Sequence, residues 1–259
     1  MANGIRSAEF SEWELVRENS FSQVWTEELD HVFTDVARYY DKASHVASLG
    51  LWGWLQKRFL STIELQSNQI ALDVCAGTNA VGIALLQNQP DLQVYAIDRN
   101  RAMQEIGRQS AERQGFQIES TIGDVHCLPY PDNYFDLVTL QFASRHLRVV
   151  EVFGEIKRVL KPGGHFYHCD MLRPTNRWVE KVQFSYLRSC LTVTARIFKS
   201  ESAALNCRSY FINTLSMFYS VEELSDLLKQ MAFHDISSKK LLGGLLGFHK
   251  AVKKQRKSL

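Results

Sequence analysis

Three acidic residues close three consecutive strand-like runs: Asp73 in IALDVC, Asp98 in QVYAID, and Asp124 just after TIG. The first run leads through Ala76-Gly77-Thr78-Asn79 into the helix-like AVGIALLQ. A strand, a tight turn and a helix in that order aim backbone N–H groups and a helix N-terminus at a ligand beyond the carboxyl ends of the strands. A side chain at Gly77 would obstruct that approach. Asp98 follows Asp73 by 25 residues, the place where a carboxylate accepts hydrogen bonds from both hydroxyls of a ribose. An acid at Asp124 can meet an adenine amino group. One such acid reads equally well as a helix cap; three in succession describe a nucleotide-type cofactor site. Asn79 stands where a third glycine is expected. If that position needs a positive φ, asparagine is the least costly replacement. The sequence therefore predicts an intact site with a bulkier floor rather than a decayed one.

Those residues need a parallel sheet to hold them. Strands are predicted over 70–75, 93–98, 117–122, 134–140 and 164–170, with helices over 81–87, 101–114 and 149–160. Alternation at this spacing gives an α/β sheet covered on both faces. Lys161-Pro162-Gly163-Gly164 reads as the turn before the fifth strand. Ser220-Val221-Glu222-Glu223 reads as a capping box opening a helix to about Met231. Runs 233–239 and 245–252, joined at Gly243-Gly244, read as a closing hairpin, which forces one strand against the rest. Residues 1–66 are expected as a helical cap in which Val32, Val36, Tyr39, Ala43 and Ala47 share a face. Residues 67–259 form the main domain, with a helical insertion over about 176–215. Within the insertion Val182, Tyr186, Cys190, Val193 and Ile197 share one face.

The chain has 259 residues, a formal charge of +2, 45% apolar and 22% charged residues, which suits one large soluble domain. No broad basic face points to nucleic acid. Five cysteines without a CxxC pair read as reduced thiols of a cytoplasmic protein. Cys75, Cys127 and Cys169 fall near strand ends, and no cluster has metal-ligand spacing. The N-terminal residues do not read as a signal peptide, and no apolar run approaches the ~20 residues of a membrane span. The basic run Lys253-Lys254-Gln255-Arg256-Lys257 reads as a solvated tail, with a contact to anionic lipid as the alternative.

Together, Asp73 with Gly77, Asp98, GDVHCLPYPDNYFDLV (123–138) and RVLKPGG (158–164) resemble the class I S-adenosylmethionine-dependent methyltransferases. The flanks are similar to the ubiquinone/menaquinone C-methyltransferase family in particular. They are Val36 to Asp41 with Ser48 to Leu51, Phe142-Ala143-Ser144-Arg145-His146-Leu147, Asp170 to Pro174, and Tyr210-Phe211 through Phe218 together with Gly243 to His249. The likeness runs from about residue 36 to 252. It implies a Rossmann-like seven-stranded sheet with an antiparallel last strand, and S-adenosylmethionine as cofactor. It places Asp73 and Gly77 near the methionine part, Asp98 on the ribose and Asp124 near the adenine. Tyr40, Ala76, Asn79, Arg99, Val125 and Gln141 are the further cofactor contacts it implies. The departures are Ala76 and Asn79 for Gly, His146 for Asn, Trp52-Gly53 for His-Arg, and Tyr219 for Pro.

The family's acceptor class, a quinol, attacks through carbon once an adjacent hydroxyl loses its proton. Phenols ionise near ~10, so a base or a fixed cation is needed. Arg145 is expected as that cation, with a salt bridge to a sheet-edge acid as the structural alternative. His146 is expected as the base by its pKa, or as a structural imidazole. His249 is a further catalytic candidate, or a hydrogen-bonded hairpin residue. Trp52, Trp54, Phe59 and the 182–197 stripe are expected either to line a pocket for an isoprenoid tail or to pack as core. Three functions stay open: C-methylation of a quinol or related apolar aromatic, a specialised-metabolite methyltransferase acting at C, O or N, and a cofactor-binding scaffold without turnover. A homodimer and a peripheral membrane contact stay open as well.

Overall fold

Strands that are apolar on both faces can be buried only in a sheet with helices on both sides. The computed structural model describes residues 7–198 and 208–255 and contains that sheet. Its strands are β1 (Ile70–Val74), β2 (Gln93–Asp98), β3 (Glu119–Ile122), β4 (Phe135–Gln141), β5 (Leu160–Met171), β6 (Phe233–Leu241) and β7 (Leu246–Lys253). They lie in the order β3-β2-β1-β4-β5-β7-β6, and β7 runs antiparallel to both its neighbours. The order reverses between β1 and β4. The carboxyl ends of these two strands therefore open a crevice at the switch point, where α/β sheets bind their ligands.

In β4, Phe135, Leu137, Val138 and Leu140 are fully buried. The helix α7 (Val149–Val159) packs on it through Val149, Val152, Phe153, Ile156 and Val159, a three-and-four spacing that leaves none of the five exposed. Each contributes about 1.5–3 kcal/mol of burial. The helices α5 (Ala80–Asn88) and α6 (Arg101–Arg113) follow β1 and β2. The Lys161-Pro162-Gly163-Gly164 signal does not end before the fifth strand. It lies inside β5, where Gly163 has a φ of 83° and the register against β4 shifts between Phe135 and Leu137. The result is a kink in the strand. The capping box is present: Ser220 Oγ accepts from Glu223 N–H, and the Glu223 carboxylate accepts from Ser220 N–H at 2.7 Å, opening α10 (Val221–Gln230).

The N-terminal elements are α1 (Ser7–Gln23), a π-helical turn, α2 (Leu29–Val36), a 3-10 turn, α3 (Tyr40–Ala47) and α4 (Trp52–Leu60). They share the sheet's core, since Phe10 packs in one cluster with Leu72, Val138 and Phe153. A buried ion pair fastens α1. Arg17 and Glu14 are joined, Glu14 Oε2 accepts from Val149 N–H at 2.7 Å, and Glu14 Oε1 accepts from the Tyr219 hydroxyl at 2.7 Å. Arg17 Nη2 donates to the Arg145 carbonyl at 2.9 Å. Tyr219, the residue that replaces the family proline, thus supplies a hydroxyl to an α1 carboxylate.

Beyond β5 lie α8 (Arg177–Phe198) and α9 (Arg208–Ser216). The α8 stripe is not core: Val182, Tyr186 and Val193 are exposed. The Ile197 side chain and Cys207 lie outside the described residues. Lys253 is no solvated tail residue either, because its ammonium donates to the carbonyls of Leu160 at 2.7 Å and Arg158 at 3.1 Å. Arg256 and Lys257 lie outside the described residues. Among the described residues no helix is long and apolar enough to cross a membrane.

Removing one partner of a buried ion pair leaves the other charge uncompensated. Arg17→Met is therefore expected to lower the unfolding free energy by about 3 kcal/mol in urea titration, while a surface control such as Arg113→Met leaves it unchanged.

Candidate active site

The turn after β1 is built from left-handed residues at alternate positions: Cys75, Gly77 and Asn79 have φ of 55°, 53° and 58°. Asn79 thus occupies the conformation that asparagine tolerates best among side-chain-bearing residues. Its amide does not enter the cofactor crevice, contrary to the expectation of a bulkier floor. It turns under the loop, where Oδ1 accepts from Gln104 Nε2 at 3.0 Å and Nδ2 donates to Ser120 Oγ at 3.3 Å. Gly107 on α6 makes the room, since a Cβ there would come within 2.8 Å of Asn79 Cγ. Asp98 braces the same turn from the end of β2. Gly77 N–H donates to its Oδ2 at 2.9 Å and Asn100 N–H to its Oδ1 at 2.8 Å. Burial raises the Asp98 pKa against the pull of those two bonds. Thr78 Oγ1 donates to Asp41 at 3.3 Å, tying α3 to the turn.

The crevice holds a cavity of about 290 Å³ lined by Tyr40, Asp73, Ala76, Gly77, Asp98 and Arg99, and further along by Asp124, Val125, Gln141 and His146. Of the residues assigned to the cofactor from sequence, Asn79 alone does not line it. Six buried polar atoms of its lining residues lack partners: Trp25 Nε1, Gln56 Oε1, His146 Nε2, Arg148 Nε and, at the strand ends, Asp73 Oδ2, an acceptor, and Gln141 Nε2, a donor. Asp73 Oδ1 is occupied by the Thr139 hydroxyl at 2.7 Å, and burial pushes its carboxyl pKa up to about 7. The Asp73 and Gln141 atoms, side by side at the strand ends, suit a ligand that carries both an ammonium and a carboxylate. Asp124 accepts from His126 N–H at 2.9 Å and from its ring Nδ1 at 2.6 Å, while His126 Nε2 accepts from Arg148 N–H at 3.2 Å. Partial burial would raise the Asp124 pKa, but the His126 bonds hold it below the usual carboxylate range.

Sequence reasoning missed Asn100 and His126. Asn100 caps α6 by accepting from Met103 N–H at 2.9 Å, and its amide reaches Asp30 Oδ1 at 2.9 Å and Thr34 Oγ1 at 2.8 Å, so one residue locks α2 to the site. An asparagine one place before a predicted helix was the available signal. The contacts to α2 had none.

A second cavity of about 790 Å³ meets the first at Phe33, Tyr40, Trp52 and Phe142, which line both. Trp52 stacks on Phe142 with centroids 5.1 Å apart. The walls include Val32, Val36, Tyr39, Ala43 and Ala47, the face predicted for the N-terminal helices, and Val182 and Tyr186 of the α8 stripe. Phe59 lies elsewhere, fully buried against Phe248, and Trp54 is exposed. Arg145 is the one charged side chain lining this chamber among the described residues. It is also salt-bridged to the fully buried Asp170 at the end of β5 and donates to the Phe142 carbonyl at 3.0 Å.

His146 and His249 do not occupy the places their assigned roles require. His146 lies on the cofactor side, stacked on Tyr210 with its Nδ1 2.6 Å from the Tyr210 hydroxyl. Burial, reinforced by Arg145 and Arg17, drives its pKa well below the ordinary histidine value, and its buried Nε2 has no partner. His249 lines neither cavity. It ends a buried chain that runs from Asp170 Oδ2 to Ser144 Oγ (2.6 Å), to His168 Nε2 (2.8 Å), across His168 Nδ1 to His249 Nδ1 (3.4 Å), and from Nε2 to the Val221 carbonyl (3.0 Å). With Asp170 ionised and both imidazoles neutral, three hydrogens serve these four links. The hydrogen-deficient link is the longest, between the two histidines. Ser144 then donates to Asp170, and His168 Nε2–H donates to Ser144.

Two outcomes follow from this geometry. Asn79→Ala keeps the left-handed turn without the side chain that suits it, so it is expected to cost about 1 kcal/mol more than Asn79→Gly in thermal unfolding. His249 is pushed down to about 4 by burial. Below the ordinary histidine value the unfolded chain takes up a proton that the folded one refuses. Stability should thus fall as the pH drops from 6.5 toward 4, by about 3 kcal/mol for this residue alone. Urea titrations across that range should show the slope, and His249→Gln should reduce it by that amount, leaving the part due to the buried His146 and His168.

The ubiE/COQ5 methyltransferase family matches residues 22–253. Among curated relatives, the demethylmenaquinone methyltransferase of Lactobacillus johnsonii is 29% identical over 93% of this chain and 99% of its own. The ubiquinone/menaquinone biosynthesis C-methyltransferase of Stutzerimonas stutzeri is 30% identical over 86% of this chain and 87% of its own. Among solved structures, Haemonchus contortus phosphoethanolamine N-methyltransferase 2 with S-adenosylhomocysteine bound aligns at a TM-score of 0.57 and 16% identity, covering 80% of this chain and 53% of its own. That last likeness shows the Rossmann-like fold. The protein is an S-adenosylmethionine-dependent methyltransferase, and the chain belongs to the ubiE/COQ5 methyltransferase family.

Proposed function

We propose that the enzyme methylates a ring carbon of a quinol-type acceptor carrying an apolar tail. The observation that carries this is the apolar 790 Å³ chamber with Arg145 as its one charged lining residue, opening onto the cofactor cavity. Curated relatives are named for demethylmenaquinone and for 2-methoxy-6-polyprenyl-1,4-benzoquinol. Bound S-adenosylmethionine supplies a methyl group already activated on a sulfonium, so the protein's work is alignment. Asp73 Oδ2 and Gln141 Nε2 fit the ammonium and carboxylate of its methionine part, in reach of Gly77 and Ala76. Asp98 keeps a lone pair on each oxygen for the ribose hydroxyls, and Asp124 and Val125 take the adenine end. Arg99, anchored on the Trp25 carbonyl at 2.6 Å, and Tyr40 close the sides.

On the acceptor side, Trp52 and Phe142 offer an aromatic wall to a flat ring and exclude water. Arg145, held in place by Asp170 and the Phe142 carbonyl, stabilises the oxyanion formed when the acceptor hydroxyl ionises. The ring carbon beside that oxyanion is the nucleophile. His146 is not given the role of base: the acceptor hydroxyl releases its proton to solvent as it ionises beside Arg145, and the methylated ring carbon then loses its hydrogen to solvent to restore the aromatic quinol.

Methyl-labelled cofactor incubated with a reduced demethylmenaquinone is expected to place label in the quinol fraction. Absence of label there, with cofactor binding intact by calorimetry, overturns the acceptor. Arg145→Met should lower kcat about 10²–10³-fold and leave cofactor affinity unchanged. The rate should rise with pH as the acceptor ionises, and His146→Gln should leave that profile unmoved. Cofactor affinity has its own pH dependence. Asp73 must be ionised to hold an ammonium, so affinity should fall about tenfold on going from pH 8 to pH 6, and Asp73→Asn should abolish the dependence.

A further inference from the structure

Helix α8 exposes what a helix usually buries and buries what a helix usually exposes. Val182 and Tyr186 face water, Val182 with 70% of its surface exposed, while Gln183 between them keeps 5%. Glutamine is mostly a surface residue, and an amide taken out of water without hydrogen bonds is unfavourable. Gln183 Oε1 and Nε2 are both buried, and neither has a partner. Turning the amide over would exchange the two atoms and leave each as unpaired as before.

This side chain lies in the wall of the acceptor chamber, with Val179 one turn before it and Leu187 one turn after it on the same wall. Other polar groups of the chamber are engaged within the protein. The Tyr186 hydroxyl donates to the Ala47 carbonyl at 2.7 Å, and Ser48 Oγ donates to the His45 carbonyl at 3.1 Å. The Tyr39 hydroxyl donates to Asp35 at 3.4 Å, and Arg145 is paired with Asp170. Among the described residues of the lining, Gln183 alone holds buried polar atoms without partners, and it holds an acceptor and a donor together.

Such a pair is complete when a ligand presents a donor and an acceptor on neighbouring atoms. An apolar tail presents neither, and an ionised carboxylate has no hydrogen for Oε1. A ring hydroxyl alone donates to Oε1 and leaves Nε2 unpaired, because one oxygen cannot lie in line with both amide atoms. A ring hydroxyl with an ether oxygen on the next carbon fits both. The hydroxyl donates to Oε1 while the ether oxygen accepts from Nε2.

We propose that Gln183 is a specificity-determining residue of the methyl transfer, which holds the acceptor ring by the hydroxyl remote from Arg145 and by an alkoxy oxygen beside that hydroxyl. The assignment rests on the quinol acceptor proposed above and adds the substituent that the ring carries. Arg145 comes from the loop after β4 and Gln183 from α8, so two separate elements grip one ring. A quinol without the alkoxy group is still methylated, more slowly.

The test uses the full chain, methyl-labelled S-adenosylmethionine and two short-tailed 1,4-benzoquinols kept reduced. One carries a methoxy group beside the far hydroxyl, the other an ethyl group in its place. The ratio of kcat/KM on the methoxy quinol to that on the ethyl quinol is expected to fall about tenfold from wild type to Gln183→Met. Gln183 has no protein partner, so the variant should unfold at the wild-type temperature or above it. Gln183 does not line the cofactor cavity, so affinity for S-adenosylmethionine should be unchanged. Gln183→Leu should lower the ratio in the same way and keeps the test open where methionine disturbs the packing. A ratio left unchanged or raised, including an equal loss on both quinols, overturns the role of Gln183 and leaves the quinol acceptor standing. If wild type labels neither quinol, the acceptor proposal fails and the role of Gln183 falls with it.

Discussion

The salt bridge between Arg145 and Asp170 is the interaction on which the site turns. Asp170 is fully buried, and a carboxylate is stable there only when its charge is matched and its lone pairs are filled. Arg145 matches the charge, while Ser144 and the backbone N–H groups of Arg145 and Met171 fill the oxygens. The same guanidinium is thereby fixed at the wall of an apolar chamber, the one place where an uncompensated cation could not otherwise remain. Behind it, Ser144 donates to Asp170 and is backed by His168 Nε2, and Arg17 of α1 holds the Arg145 carbonyl. His249 lies beyond the one link of the buried hydrogen-bond chain that has no hydrogen, and it lines neither cavity.

The sheet order explains why this pair lies beside the cofactor crevice. Asp73, Gln141 and Asp170 lie at the carboxyl ends of three adjacent central strands, β1, β4 and β5. The loop after β4 carries Phe142 in a left-handed conformation, with a φ of 56°, a strained state worth about 1–3 kcal/mol for a non-glycine residue. Cys169 accepts the Phe142 N–H at 2.8 Å and Trp52 stacks on its ring, so neighbouring contacts offset the strain. The aromatic wall between cofactor and acceptor is held by that loop.

Much of this was legible because it is local in sequence. Acids at strand ends, the capping box at Ser220 and the left-handed need at Asn79 depend on a few neighbouring residues, and their physical meaning does not change with context. Residues whose role depends on distant contacts were not legible. Asn79 turns away from the crevice because Gly107, on another helix, leaves space there. His146 loses its basicity to burial under Tyr210, which lies 64 residues away in the chain. The Glu14–Arg17 pair reads as an ordinary helix-surface spacing until Val149 and Tyr219 close over it. The Lys161-Pro162-Gly163-Gly164 stretch signals a bend correctly, yet β4 pairing carries the strand through it.

The central claim is that Arg145 stabilises an oxyanion at the meeting point of the two cavities. The most direct measurement is the ionisation of a bound phenolic acceptor analogue, followed by its absorbance as pH is raised in the presence of S-adenosylhomocysteine. The account predicts that the bound hydroxyl ionises at least about one pH unit below its value in water, a shift of about 1.4 kcal/mol, and that Arg145→Met restores the solution value. A bound hydroxyl that titrates as it does in water, or a shift that survives in Arg145→Met, would contradict it.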